Sequence, residues 1–221
     1  MLGVFMDDKR KERMAQVVAG RTYGIVPVVE GLIDLGNVAA VCRSAEALGC
    51  QNVHLIERGD KKYRSSQRIT AGADKWLDFE TWGTTEQCFA ALRERGYRIA
   101  VTYCDGGSVS TPIEDMDWSI PTAVVLGNEH AGVSPEAIAG ADLQCSIPMD
   151  GFVDSFNISV AAAIIMHYAK RQRGRRGDLT PEQQEILTAE FYLRNNSTTE
   201  DVLQHLLSKS SVVPQGLRSK L

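Results

Sequence analysis

Three short segments, far apart in the chain, gather the residue types that hold polar ligands. They are Asn37-Val-Ala-Ala-Val-Cys-Arg43, Leu126-Gly-Asn-Glu129 and Ile147-Pro-Met-Asp-Gly-Phe-Val-Asp-Ser-Phe-Asn157. Arg43 carries a planar fork of donors that suits a phosphate or a carboxylate. Gly127 follows an apolar run directly, where bare backbone can approach a ligand closely. Ser155 and Asn157 precede an alanine-rich run, and the start of such a helix presents amides to an anion or a polar cofactor. Each feature also has a structural explanation. Ser155, Asn157 or Asp154 can cap the helix, Gly127 can make a turn, and Arg43 can be a helix-surface charge. No G-x-G-x-x-G fingerprint and no Walker A loop accompanies them.

The elements that must position these segments follow from periodicity and punctuation. A 3.6-residue period predicts helices over 5–20, over Asn37–Leu48 with Gly49 as C-cap, over Thr84–Arg95 with Cys88, Phe89 and Leu92 inward, and over Ser155–Arg173. Further helices are expected at Leu179–Leu193 and Thr198–Ser208, and Ser134-Pro135-Glu136 reads as a helix start. Buried strands are expected at Ile25–Val29, Asn52–Glu57, Tyr97–Tyr103, Ala123–Leu126 and Leu143–Pro148, with Pro27 weakening the first. Residues 58–68 read as a loop leading into a short helix, and Asp105-Gly106-Gly107 as a turn. Strands alternating with helices give an α/β class with a mostly parallel sheet flanked by helices.

Composition narrows the function classes. The chain has 221 residues, 43% hydrophobic and 24% charged, which fits one sizeable globular domain with peripheral helices. Its apolar runs fall far short of a membrane span, so no membrane role is expected. Met1–Met6 is too short for a signal-peptide core and Asp7-Asp8 follow it. The five cysteines are scattered, odd in number and without a C-x-x-C pair. They argue against a disulfide framework or a zinc site and for a reducing compartment. The expected location is cytoplasmic, or organellar if an upstream transit peptide has been removed. The net charge of −4 does not announce a nucleic acid, but two basic clusters do stand out, at 58–68 and at 170–176. Local patches of this kind grip phosphates even on an acidic protein, although a solvated charged face looks the same in sequence.

Taken in order and with their internal spacing, the three segments resemble motifs 1, 2 and 3 of the SpoU family of RNA ribose 2′-O-methyltransferases, in the SPOUT superfamily. The asparagine-to-arginine spacing, the Leu-Gly-Asn-Glu segment and the Ile-Pro-Met…Ser-x-Asn-x-Ser-Val-Ala pattern carry the resemblance, which covers residues 5 to about 175. Within the family the chain looks most similar to the tRNA (guanosine-2′-O-)-methyltransferase, or TrmH, branch, which also has an arginine-rich N-terminal helix, here Lys9–Arg21.

The resemblance implies a methyltransferase domain over 1–177, a C-terminal helical extension and tail over 178–221, and a deep trefoil knot at about 123–173. S-Adenosylmethionine would sit bent in the knot against Thr102, Gly127, Ile147 and Phe156, largely through backbone groups. Phe156 departs from the family pattern, in which leucine is usual. Arg43 would be the catalytic residue at the ribose 2′-hydroxyl, and Asn37 would position it or the RNA. Glu129, Ser155 and Asn157 would complete the site, with no metal. Arg64, Arg68, Arg171, Arg173 and Arg175 would contact RNA. Family members are homodimers that share the active site across the interface. The implied reaction is methyl transfer to a guanosine ribose in the tRNA D-loop. The competing readings are a ribosomal-RNA 2′-O-methyltransferase and a non-catalytic RNA-binding knotted dimer, and an Arg43→Ala variant separates catalysis from binding alone.

Overall fold

A computed structural model describes residues 7–31, 34–57, 70, 72–103, 110–128, 132–174 and 176–195. The chain begins with α1 (Asp8–Ala19), β1 (Ile25–Glu30), α2 (Leu35–Leu48), β2 (Asn52–Ile56) and a 3-10 helix (Ala73–Trp76). It continues through β3 (Asp78–Trp82), α3 (Thr85–Glu94), β4 (Arg98–Thr102), β5 (Thr111–Pro112) and β6 (Thr122–Leu126). It ends in α4 (Pro135–Gly140), β7 (Leu143–Ser146), α5 (Ile158–Arg173) and α6 (Pro181–Asn195).

The seven strands form one sheet in the order β3-β2-β1-β6-β4-β7-β5, and every pairing is parallel. A parallel sheet must be covered on both faces, so its strands carry apolar residues at every position rather than alternate ones. β1 and β6 do so. Ile25 and Val29 of β1, with Val124 and Leu126 of β6, join one core, and Val26 and Val28, with Ala123 and Val125, join the other. The first core lies under α2 and α5, where Val38, Val41, Cys42 and Ala45 meet Ala162, Ile165, Met166 and Ala169. The alanines let the two helix backbones approach closely. The second core lies under α3 and α4, with Cys88, Phe89, Leu92 and Ala137. A smaller cluster joins α1 to α6 through Met14, Val18, Leu179, Leu187 and Phe191. The start of the expected C-terminal extension therefore packs on the first helix.

The helix ends agree with their cap chemistry. Thr84, Ser134 and Asn157 each accept a backbone N–H in the first turn of α3, α4 and α5, and Gly49 ends α2 at φ 80°. The expected start of the last long helix at Ser155 moves to Ile158, because Asn157 takes the cap. Pro27 sits in an interior strand rather than at an edge. The ladder with β2 begins at Val28, one residue beyond it, while Pro27 pairs with Val124 of β6 on its other side. β3 and β5 had no counterpart in the sequence reading. The basic loop at 58–68, the turn at 105–107 and the helix expected at 198–208 lie outside the described residues. No described helix is long and apolar enough to cross a membrane.

Candidate active site

The carboxyl ends of β4, β6 and β7 open into a cavity of about 340 Å³. In open parallel α/β sheets, ligands bind where strands end in this way. Thr102, Gly127, Ile147 and Phe156 all line this cavity, together with Ser155. Five residues expected at one site on resemblance thus share one hollow. Leu126, Val133, Ile158 and Ile165 give it apolar walls, and Asp154 and Ser146 add polar ones. Asp154 appeared in the sequence only as a possible cap. Its place in the third segment was the available sign of a larger role.

Gly127 owes its identity to the protein's own backbone. Asn128 and Gly132 exchange N–H···O bonds of 2.9 and 2.8 Å, which folds the chain back on itself. A Cβ on Gly127 would lie 2.3 Å from the Gly132 carbonyl carbon and the Val133 nitrogen. The close approach anticipated for a ligand is made first by residues 132–133. Those residues are anchored in turn by Glu30, a buried carboxylate at the end of β1. It accepts from Ser134 N at 2.9 Å, Ser134 Oγ at 2.7 Å and Thr85 Oγ1 at 2.7 Å. Asn128 Nδ2 donates to the Gly31 carbonyl at 3.4 Å, tying the second segment to the turn after β1. Glu30 was not singled out in the sequence, where a lone glutamate after an apolar strand carries no signal.

The first and third segments meet directly. Asn157 Nδ2 donates to Asn37 Oδ1 at 3.1 Å, and Asn37 Nδ2 donates to Asp34 Oδ2 at 3.3 Å. Asn157 Oδ1 meanwhile accepts from Ser159 N and Oγ at 2.9 and 2.6 Å. Asn157 is therefore both the cap of α5 and the clamp between α5 and α2.

Arg43 stands apart. It lies on the exposed face of α2 and lines a separate hollow of about 650 Å³ with Ala40, Ser44, Ala47 and Trp76. Among the described residues no hydrogen bond or ion pair engages its guanidinium. Asn37 and Arg43 are six residues apart, which places them roughly 120° apart around the helix axis and about 9 Å along it. Neither side chain lines the cavity at the strand ends.

The basic residues divide in the same way. Arg171 is exposed. Arg173, expected as an RNA contact, is turned inward, and this corrects that expectation. Its Nη1 donates to the Trp118 and Ser119 carbonyls at 2.6 and 2.9 Å, and its Nη2 donates to Asp178 at 2.8 Å. Only 14% of its side chain is accessible, and its guanidinium fills the space left by the absent side chain of Gly24. Glu129, Arg64, Arg68 and Arg175 lie outside the described residues.

Burial pushes the Cys50 and Cys88 thiols up to about 12, so neither is a thiolate nucleophile at neutral pH. Among the described residues no group of three or more His, Cys, Asp or Glu side chains could hold a metal ion.

Comparison with known proteins places this geometry. Residues 24–167 match the SpoU rRNA Methylase family. The chain is 31% identical over 202 residues to the tRNA (guanosine(18)-2′-O)-methyltransferase of Escherichia coli strain K12, covering 91% of this chain and 81% of that one. It is 32% identical over 170 residues to the enzyme of the same name from Aquifex aeolicus strain VF5, covering 77% and 80%. Among solved structures, the A. aeolicus TrmH/SpoU tRNA modifying enzyme superimposes with a TM-score of 0.76 at 29% identity, over 85% of this chain and 97% of that one. The SpoU methyltransferase AviRb from Streptomyces viridochromogenes, solved with AdoMet, gives a TM-score of 0.60 at 27% identity, over 67% and 60%.

Proposed function

The chain belongs to the SpoU rRNA Methylase family, and from that premise we propose that it methylates the ribose 2′-hydroxyl of a tRNA guanosine in the D-loop, with S-adenosylmethionine as donor. The observation that carries the reading is the convergence of Thr102, Gly127, Ile147, Phe156 and Ser155 on one cavity at the strand ends. The choice of tRNA and guanosine rests on relatives of that activity that align over most of the chain.

The residues present fit the cofactor. The cavity lies in the usual size range for small-ligand sites, about 300–1,000 Å³. Leu126, Val133, Ile147, Ile158 and Ile165 offer an apolar slot for a purine ring, and the Asp154 carboxylate suits a cationic group. Thr102 Oγ1 already donates to the Val125 carbonyl at 3.0 Å, so what it offers a ligand is chiefly backbone. Phe156, where leucine is usual in the family, still lines the cavity. When bound, the cofactor supplies an electrophilic methyl group.

The protein's own contribution is placement and charge. Arg43 would hold the ribose 2′-hydroxyl and favour the negative charge that grows on its oxygen. A guanidinium carries five donors and no acceptor, so the role proposed for Arg43 is to hold and stabilise the oxygen rather than to take its proton. A phosphate oxygen of the RNA beside it is a suitable acceptor for the departing proton. Stabilisation by a fixed cation needs no change in its own protonation.

Because Arg43 and the cavity do not meet within one chain, the reading requires a second copy. In a homodimer, Arg43 of one protomer would serve the cavity of its partner. The exposed apolar residues Leu35, Phe152, Val153, Phe156 and Val160 support this, since apolar groups this exposed mark interaction surfaces. The trefoil knot belongs to the same proposal. β6 enters between β1 and β4, β7 passes beyond β4, and α5 then returns to pack on β1 and α2.

The test is incubation with methyl-labelled S-adenosylmethionine and, separately, total tRNA and total rRNA, followed by nuclease mapping of the labelled ribose. Label on a D-loop guanosine is expected. Label on rRNA alone would replace the substrate, and no label on either would overturn the activity. Arg43→Ala should abolish transfer, because the ribose oxygen loses the cation that holds it and favours its charge.

A further inference from the structure

The hollow beside Arg43 has a composition that the catalytic reading does not explain. Four of its lining residues are small: Ala40, Ala47, Gly72 and Ala73. Arg43 and the half-buried Trp76 also line it. Phe191 holds the indole edge-on, with ring centroids 5.2 Å apart, so the ring is fixed rather than free to collapse into the hollow. Among the described residues neither the Trp76 indole N–H nor the Arg43 guanidinium has a hydrogen-bond partner. The one carboxylate at the hollow, Glu46, is neutralised by Arg21 Nη2 at 2.9 Å. Lys75 stands over the Trp76 ring at 5.2 Å, and Trp76 also lines a neighbouring groove with Arg10 and Arg13 of α1. A fixed aromatic ring, small lining residues and surrounding cations make a seat for a flat, polar ring attached to a phosphate chain.

We propose that this hollow receives the base of the nucleotide being methylated, turned out of its stack and laid against Trp76. The inference rests on the ribose-methylation reading above. On a ribose the 2′-hydroxyl and the base sit on adjacent ring carbons, so a hydroxyl held at Arg43 brings its own base to the hollow that Arg43 lines. Enzymes that act on a nucleotide within a folded nucleic acid commonly take its base out of the stack, which costs least where the base is unpaired. Stacking on an aromatic side chain offsets that cost, and the exposed cations attract the flanking phosphates.

Three variants test the seat: Trp76→Ala, Trp76→Phe, and Ala47→Phe, which fills the hollow from an exposed helix position and leaves Trp76 and its packing intact. Steady-state methylation and RNA binding by fluorescence anisotropy are measured for each, with melting temperatures as a folding control. Stacking one base is worth about 1–3 kcal/mol, so Trp76→Ala and Ala47→Phe should weaken RNA binding about five- to 150-fold with cofactor affinity unchanged. Trp76→Phe should recover most of the loss. On RNA lacking only the target base, Trp76→Ala should cost no more than about twofold, because the partner it loses is already gone. A folded Ala47→Phe with wild-type RNA affinity would overturn the seat, as would a Trp76→Ala loss that persists in full on the abasic RNA. A wild-type chain that transfers no methyl yet binds RNA with this dependence on Trp76 would overturn the ribose-methylation reading and support the seat.

Discussion

Gly127→Ala probes the cofactor cavity through its backbone alone. The new Cβ would stand 2.3 Å from Gly132 C and Val133 N, against the 3.4 Å at which ordinary contact begins. The opposing chain must therefore retreat by roughly 1 Å. It is not free to do so, because the Asn128–Gly132 bonds hold one end and the Glu30–Ser134 bonds hold the other. Overpacking of this kind costs about 2–3 kcal/mol. In a domain of this size that lowers Tm by about 4–12 °C. Gly132 and Val133 line the cavity, and a displacement of about 1 Å in a ligand site commonly costs ten- to 100-fold. Gly177→Ala is the matched control. Its Cβ would lie 2.3 Å from the Arg21 carbonyl oxygen and 2.6 Å from that of Ala19, equally crowded by backbone and away from the cavity. Calorimetric titration with S-adenosylmethionine, below both melting transitions, should find the affinity reduced in Gly127→Ala and preserved in Gly177→Ala. Wild-type affinity in a destabilised Gly127→Ala would refute the assignment of the cavity. An unshifted Tm would refute the packing argument itself.

Glu30→Gln keeps the shape but replaces one accepting oxygen and the charge by an NH2 group, so chemical denaturation should show a loss of about 1–3 kcal/mol, with cofactor binding weakened as residues 132–134 loosen. Burial lowers the His54 pKa from 6.5 to about 4, so the folded state refuses a proton that the unfolded chain accepts. Stability is then full above pH 6.5 and declines by about 3 kcal/mol as the pH falls toward 4; urea unfolding at pH 7 and 4.5 should show it, with a shallower decline in His54→Gln. Arg173→Ala should lower stability by about 1–3 kcal/mol and leave the salt dependence of RNA binding unchanged, because both of its Nη atoms are engaged inside the protein. Arg171→Ala should do the reverse, reducing the salt slope by about one unit with Tm unmoved.

What was legible in the sequence is short-range. Thr84 and Ser134 take their capping bonds within a few residues, so the starts of α3 and α4 could be read from residue type, whereas α5 offered Asp154, Ser155 and Asn157 and only Asn157 became the cap. Gly49 ends α2 for an equally local reason. β1 and β6 were legible because burial on both faces leaves them almost wholly apolar. β3 was not, because Asp78-Phe-Glu-Thr-Trp82 is an edge strand whose polar residues find distant partners. Asp78 meets Tyr23 and Arg194, Glu80 meets Arg95, and Trp82 meets His54. β5 is two residues long and leaves no pattern to detect. Arg173 was misread for a related reason. A basic run looks uniform in sequence, while the carbonyls that claim Arg173 come from Trp118 and Ser119, more than 50 positions earlier.

The candidate site divides along the same line, and Arg43 shows why. The cavity joins the ends of three parallel strands, and the order of the segments along the chain is compatible with that joining. Helix geometry, however, sets Asn37 and Arg43 roughly 120° apart around one axis. Val38, Val41, Cys42 and Ala45 are buried against the sheet and α5, which fixes the rotation of α2, and Asn37 is clamped to Asn157 at the mouth of α5. With α2 so fixed, Arg43 is held on the exposed face, in its own hollow. A rigid α2 can present Arg43 to a cavity only if the cavity comes from elsewhere. The exposed Phe152, Val153 and Phe156 stand beside the residues that line such a cavity, on a surface available to a second copy. The Asn37–Asn157 bond would then set where Arg43 lands on the partner. Asn157→Ala should therefore reduce transfer even where cofactor binding and dimerisation survive.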